Sequence, residues 1–160
     1  MQLIKAGMFA VVAALLGASA QAAERQVYLV ATAHLDGSNL AYSIFLNEPQ
    51  VTDLQGCLDA VRKGQRERDW QQYHHVFRRD AFQGFTGHMR YRCAYSDLQI
   101  SGWYDKPRYN QPYLISIDDD SLLSVSRSSS QAQCSSQLRA LPARKQAQSF
   151  CAMGNQTITR

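Results

Sequence analysis

Apolar and polar residues alternate along much of this chain with the two-residue period typical of β-strands. Val27 to Ala33 is an apolar run rich in β-branched residues. From Leu40 to Leu46, every second residue is a large apolar one, so these side chains share one side of a strand. The sequence Asp36-Gly37-Ser38-Asn39 between the two runs is typical of a tight turn. The pattern therefore predicts a β-hairpin.

A helical period replaces the strand period after Pro49. Thr52 or Asp53 can cap a helix whose apolar residues recur every three or four positions, as Val51, Leu54, Leu58 and Val61 do. Gly64 and the charged run that follows it interrupt this stripe. The stripe resumes at helical spacing, which predicts a second short helix or a kink, with Trp70, Tyr73 and Phe77 on its apolar side.

The second half of the chain returns to short strands and one helix. The predicted strands cover 89–95 and 98–104 around a tight turn at Ser96-Asp97, 113–117 and 122–126 around Asp118-Asp119-Asp120-Ser121, and 150–159 as a last strand or extended tail. A helix is predicted over 131–141, capped within Ser128–Ser130 and ended by Pro142, with 143–148 exposed. This order predicts an α+β domain, in which an antiparallel β-sheet carries two or three helices packed on one face.

Residues 1–22 have the form of a secretory signal peptide. Lys5 precedes an apolar stretch from Ala6 to Ala18, and Ala20-Gln21-Ala22 has the A-x-A form of a cleavage site. A membrane anchor is the alternative, but the apolar stretch is shorter than the roughly 20 residues that a spanning helix needs. We expect cleavage after residue 22, a single domain over 23–160 without a membrane span, and a periplasmic or secreted location.

The four cysteines all follow the predicted signal peptide, and an even number in a small exported chain is typical of disulfides. Four cysteines allow three connectivities. Cys57 lies on the apolar stripe of the first helix, and Cys93 shares one strand face with Met89, Tyr91 and Tyr95, whereas His88, Arg90, Arg92 and Ala94 form the other face. Position along the chain therefore favours Cys57 with Cys93 and Cys134 with Cys151.

Composition and charge narrow the function classes. The chain has 160 residues, 45% of them apolar, which fits one globular domain. Its formal net charge of +4, from 17 Lys and Arg against 13 Asp and Glu, is far below that of a dedicated nucleic-acid binder. We therefore expect no nucleic-acid partner, and the sequence leaves the oligomeric state open.

The sequence contains no G-x-S-x-G, H-E-x-x-H or glycine-rich phosphate motif, and the predicted disulfides leave no thiol as a nucleophile. Each of the four histidines could work with a carboxylate, but nothing in the sequence selects a pair. The histidines are His34, His74, His75 and His88, and the carboxylates include Asp36, Asp69, Asp80 and Asp105. Adjacent histidines diverge on a helix or strand, and Asp118–Asp120 lacks the ligand pattern of a calcium loop. No metal or cofactor is expected.

The segment from Trp103 to Tyr113 is rich in aromatic residues and arginine and is punctuated by prolines, which is typical of an irregular surface loop. Trp, Tyr and Arg are the side chains most enriched at protein interfaces. We expect this loop to bind a protein partner through Trp103, Tyr104, Arg108, Tyr109 and Tyr113. The sequence therefore favours a small exported binding protein of the inhibitor, immunity-type or accessory kind. The alternative is a small periplasmic, hydrolase-like enzyme that uses a histidine and a carboxylate.

Overall fold

Eight strands and three helices form within residues 25–67, 87–103 and 108–159, the part of the chain that the computed structural model describes. The strands are β1 (Gln26–Leu35), β2 (Ala41–Leu46), β3 (Gly87–Ser96), β4 (Gln99–Ile100), β5 (Gln111–Ile117), β6 (Leu123–Arg127), β7 (Ser149–Gly154) and β8 (Ile158–Thr159). The helices are α1 (Leu54–Glu67), α2 (Gln131–Ala140) and α3 (Ala143–Ala147). The α+β class is confirmed. The predicted signal peptide, the predicted helical segment around Trp70–Phe77 and Tyr104 lie outside the described residues.

Six strands form one sheet in the order β3-β1-β2-β7-β5-β6. Two of the three predicted hairpins are confirmed, because β1 pairs antiparallel with β2 and β5 pairs antiparallel with β6. Gly37 takes a φ of 75° in the first turn, a conformation that suits glycine. The sheet is mixed, since β2 and β7 run parallel where the two halves of the chain meet. Alternation along a strand sets which side chains share a face but not the direction of the neighbouring strand.

The sheet curls until its two edge strands touch. A parallel bridge joins Tyr95 of β3 to Leu122, and the Tyr95 amide donates to the Ser121 carbonyl at 2.8 Å. The Ser96 hydroxyl adds a hydrogen bond to the Leu123 carbonyl at 3.2 Å. One face of the sheet is therefore concave and encloses a core, while the other is convex.

Each face carries its own apolar cluster, as the alternation of side chains along the strands requires. The concave face holds the interior core of Tyr28, Val30, Ala41, Phe45, Ala94, Tyr113, Ile115, Ile117, Leu123 and Ala152. The convex face holds a second core of Val27, Leu29, Ala31, Ile44, Leu46, Cys57 and Val61. Because Cys57 and Val61 belong to α1, the second core is the contact between this helix and the sheet.

The two longer helices are bonded covalently to the convex face. The disulfides join Cys57 of α1 to Cys93 of β3 and Cys134 of α2 to Cys151 of β7, so both predicted pairings are confirmed. The Asp53 carboxylate accepts from the Gly56 amide at 2.7 Å at the start of α1. The Ser130 hydroxyl caps α2 in the same way, by accepting from the Gln133 amide. Two intramolecular disulfides indicate an oxidising, extracytoplasmic environment.

The predicted pairing of 89–95 with 98–104 is wrong. β3 pairs with β1 along its whole length, and β4 pairs instead with β8. The Ser96 hydroxyl accepts from the Leu98 amide, and the Tyr28 hydroxyl donates to the Leu98 carbonyl at 2.9 Å. These bonds lead the chain away from β3 rather than back along it.

Gln156 completes the sheet at Phe45, on the side of β2 that faces away from β1. Its side-chain oxygen accepts from the Phe45 amide and its side-chain nitrogen donates to the Phe45 carbonyl, both at 2.7 Å. The same nitrogen donates to the Ser101 carbonyl, and the Gln156 carbonyl accepts from the Tyr113 hydroxyl, again at 2.7 Å. The residue is 2% exposed, so one amide side chain replaces a strand neighbour inside the protein.

Candidate functional site

The two longer helices pack on the convex face on either side of β2. α1 lies mainly against β3 and β1, whereas α2 lies against β7 and β5. The outward side chain of Tyr42 on β2 therefore stands between the two helices. The chain after β4 returns to this position and places two further aromatic rings there.

Tyr42, Trp103 and Tyr109 form an aromatic strip, half-buried on the convex face. The Trp103 indole N–H donates to the Tyr109 hydroxyl at 3.0 Å. The ring of Tyr109 meets the ring of Tyr42 edge-on, with centroids 5.6 Å apart. Trp103 and Tyr109 also pack against the convex core. The strip is therefore held in one geometry by hydrogen bonding, ring contact and packing together.

The residues predicted to bind a partner fall into three environments. Trp103 and Tyr109 belong to the aromatic strip, and Arg108 beside them is exposed. Tyr104 lies outside the described residues. Tyr113 lies in the interior core, 2% exposed, and its hydroxyl lies 2.6 Å from the Gln111 side-chain oxygen and 2.7 Å from the Gln156 carbonyl, which share its one hydrogen. Burial raises the pKa of the Tyr113 phenol. The structure therefore brings Trp103, Arg108 and Tyr109 together and places Tyr113 in the core of the opposite face.

A second group of side chains lies on the concave face and was not singled out as a binding site from the sequence. We call His34, His88, Arg90 and Arg92 the cationic face. His88, Arg90 and Arg92 alternate along β3 and therefore point to the same side as buried Ala94. His34 of β1 lies directly opposite His88 in the strand register.

Ring contacts connect these side chains. The rings of His34 and His88 stack with centroids 5.2 Å apart and an interplanar angle of 15°. Phe150 of β7 reaches both strands, since its ring lies 6.5 Å from the His34 ring and 5.7 Å below the Arg92 guanidinium carbon. Cation–π contact of this kind holds a guanidinium in place. Phe150 therefore connects the cationic face to the interior core, against which it packs.

The charges around His34 are predominantly positive. Its pKa is lowered first by burial and then by the positive charge of Arg90, by His88 and by Arg92, while Asp36 opposes the shift. Asp36 itself lies 2.8 Å from Nδ1 of His88. Of the histidine–carboxylate pairs that the sequence left open, the structure thus brings His88 together with Asp36.

Comparison with protein family models, with curated proteins and with solved structures gives no match. The site is therefore interpreted from its own geometry. Its chemistry is that of hydrogen-bond donation and positive charge on the concave face, and of aromatic contact on the convex face.

The acidic residues at the β5–β6 turn serve the turn itself. One oxygen of Asp118 accepts from the amides of Asp120 and Leu122, and Ser121 has a φ of 59°. Asp119 accepts from Arg144 and Gln148, and these two hydrogen bonds, led by that of Arg144, lower its pKa.

In the described part of the chain, no group of three or more metal-binding side chains converges. None of the helices described there has the length and apolar character that a membrane crossing needs.

Proposed function

We propose that this chain is an exported, disulfide-stabilised binding protein whose partner is another protein of the cell envelope or a secreted protein. It would act there, in the periplasm or outside the cell, as an inhibitor, immunity-type or accessory protein. The observation that carries this proposal is the aromatic strip, which is fixed on the convex face of a sheet to which disulfides bond both longer helices.

A surface that is fixed before association supports affinity, because ordering of side chains on binding costs about 0.5–1.5 kcal/mol for each flexible group. Trp103 and Tyr109 already restrain each other through a hydrogen bond of 3.0 Å. Arg108 is exposed between them in sequence and offers a planar group of donors. Aromatic and arginine side chains in this arrangement are typical of interface residues that contribute much of the binding energy.

The test is affinity capture from envelope extract and culture medium, with the chain lacking residues 1–22 as bait and mass spectrometry as readout. Arg108→Glu reverses a charge beside the aromatic strip, and we expect it to reduce recovery of the partner at least tenfold. Arg90→Glu is the matched control, because Arg90 is also exposed but lies on the concave face. Both variants should melt close to the parent.

Equal recovery with both variants would refute the assignment to the convex face. Loss of the partner with Arg90→Glu alone would transfer the contact to the cationic face. A photo-crosslinking residue at position 108 provides a direct check, since it should form an adduct with the partner that the same residue at position 90 does not form.

The pair of His88 and Asp36 favours a second candidate function, that of a small hydrolase-like enzyme. A carboxylate 2.8 Å from one ring nitrogen can orient an imidazole and stabilise its protonated form during general acid–base catalysis. If the pair is catalytic, His88→Gln and Asp36→Asn should each reduce turnover of chromogenic ester, phosphoester or glycoside substrates about 100-fold or more. Absence of turnover by the parent protein across such a panel would exclude this function for those substrate classes.

A further inference from the structure

Positive charge on the cationic face exceeds the negative charge that the structure places near it. Arg90 and Arg92 make no ion pair or side-chain hydrogen bond with any other described residue. Within the described part of the chain, Asp36 is the carboxylate that acts on His34, and it is bonded to His88. Among the described residues, these two guanidinium groups therefore have no carboxylate partner.

The spacing of these groups brings them within reach of one small ligand. Alternate residues of a strand lie about 6.5 Å apart, and residues paired across two strands lie about 5 Å apart. Arg90 stands between His88 and Arg92 on β3, and its partner in the register is Thr32. The Thr32 hydroxyl is buried and bonded to the Ser43 hydroxyl at 2.7 Å, so the face has a polar base under its charged rim.

Two contacts fix the donors in place. Arg92 lies over the Phe150 ring, and His34 is stacked on His88. His88 in turn is oriented by Asp36 through its Nδ1, which leaves Nε2 as the ring nitrogen that can face a ligand. Donors that are oriented before binding lose little freedom when a ligand arrives.

We infer that the cationic face is a binding site for a phosphate monoester group. A carboxylate carries one negative charge and is satisfied by one guanidinium fork, whereas a phosphate monoester carries about −1.5 to −2 at pH 7 and three acceptor oxygens. Its charge matches Arg90 and Arg92 together, and its third oxygen is available to an imidazole. This site lies on the face opposite the aromatic strip and goes beyond the proposed recognition of a protein partner.

Calorimetric titration of the chain lacking residues 1–22 with inorganic phosphate tests this inference. We expect saturable binding with one site per chain and at least tenfold weaker affinity for acetate. Arg90→Gln combined with Arg92→Gln should reduce phosphate affinity at least tenfold. The matched control combines Arg62→Gln on α1 with Arg139→Gln on α2, two exposed arginines that lie away from the concave face, and should stay within twofold of the parent.

Sulfate isolates the contribution of the protein to the pH dependence, because it keeps two negative charges throughout. Its affinity should rise as the pH falls, because protonation of His34 beside Arg90, Arg92, His88 and Asp36 adds positive charge to the cationic face. Titration with glucose 6-phosphate and with vesicles containing phosphatidic acid then distinguishes a soluble phosphate ester from a lipid source.

NMR spectra of the imidazole rings keep the inference testable if the double arginine variant fails to fold. Phosphate added to the unmodified sequence should shift the ring signals of His34 and His88 along one saturation curve. Three outcomes would overturn the inference: no binding at 10 mM phosphate, equal affinity for acetate, or an equal loss in the control variant. Since the partner assay depends on Arg108 and this one on Arg90 and Arg92, failure of one proposal does not imply failure of the other.

Discussion

Replacement of Gln156 by leucine tests whether one buried amide holds the end of the sheet. The side chain makes three hydrogen bonds of 2.7 Å, two to the backbone of Phe45 and one to the Ser101 carbonyl. Gln156→Leu keeps a similar volume but removes all three. The amide and carbonyl of Phe45 would then stay in the interior without partners.

Each buried group left without a partner costs about 1–3 kcal/mol. The leucine side chain regains about 1 kcal/mol through its larger apolar surface. We therefore expect the free energy of unfolding to fall by about 3 kcal/mol, a large share of the 5–15 kcal/mol that is usual for a domain. In urea, with both disulfides intact, the midpoint should fall by about 2 M at a slope of about 1.5 kcal/mol/M.

Gln146→Leu is the matched control, because Gln146 is exposed on α3. It should leave the midpoint nearly unchanged. Gln156→Glu tests the direction in which stability changes with pH. A carboxylate can accept from the Phe45 amide but cannot donate to a carbonyl. Burial would raise the pKa of that glutamic acid above its unfolded value, so the variant should be most stable at low pH and lose stability as the pH rises. Equal midpoints for Gln156→Leu and Gln146→Leu would refute the assigned role.

Three further perturbations test the stapling and the electrostatics. Removing the Cys57–Cys93 disulfide should lower the free energy of unfolding by about 4 kcal/mol, and removing Cys134–Cys151 should lower it by about 3 kcal/mol. The first loss is larger because its disulfide spans a sequence separation of 36, against 17 for the second. Urea unfolding of the two variants in which both cysteines are replaced by alanine measures the two losses. Asp119→Asn should reduce the loss of stability in acid. Arg144 and Gln148 lower the Asp119 pKa, so the stability that they contribute is present above the unfolded pKa and is lost as the pH falls. The difference in free energy of unfolding between pH 7 and pH 3 should therefore be smaller for the variant than for the parent. His34→Gln should remove a loss of stability below about pH 6.5, because the lowered pKa of His34 lets the unfolded chain bind the proton first; a pH series of urea midpoints for variant and parent tests this.

Local patterns predicted two hairpins, the helices α1 and α2 and both disulfides, but they did not predict helix α3. The turn residues Asp36 and Gly37 identify the first hairpin, because few residues suit the conformations of a tight turn. Cys57 on an apolar helix stripe and Cys93 on an alternating strand face each point toward the protein, so their pairing follows from the two periodicities. Short-range physics determines these features.

The choice of neighbouring strands depends on contacts between distant segments, which the apolar and polar pattern of one segment does not show. The segment after Ser96 carries strand-like alternation, but its hydrogen-bond partners come from β8, which lies almost 60 residues later in the chain. The parallel contact of β2 with β7 has the same origin. Periodicity within a segment carries no information on which distant segment lies beside it.

The candidate sites show the same division. Alternation alone places His88, Arg90 and Arg92 on one face, which the sequence already indicates. The register of β3 with β1 adds His34, and the curl of the sheet adds Phe150. The aromatic loop was predicted to lie at the surface, yet Trp103 and Tyr109 are half-buried, because they pack on the convex face, where Tyr109 contacts Tyr42 of β2.

Packing does not require charge at the cationic face. Ala94 continues the same alternation as Arg90 and Arg92 and is completely buried in the interior core. Val30, the register partner of Arg92, is also buried, so an apolar side chain at position 92 would extend that core and add stability. A guanidinium there does not provide that gain, and its positive charge disfavours protonation of His34, while it lies over the ring of Phe150. A cost of this kind without a structural gain is what is expected where a site serves a ligand rather than the fold.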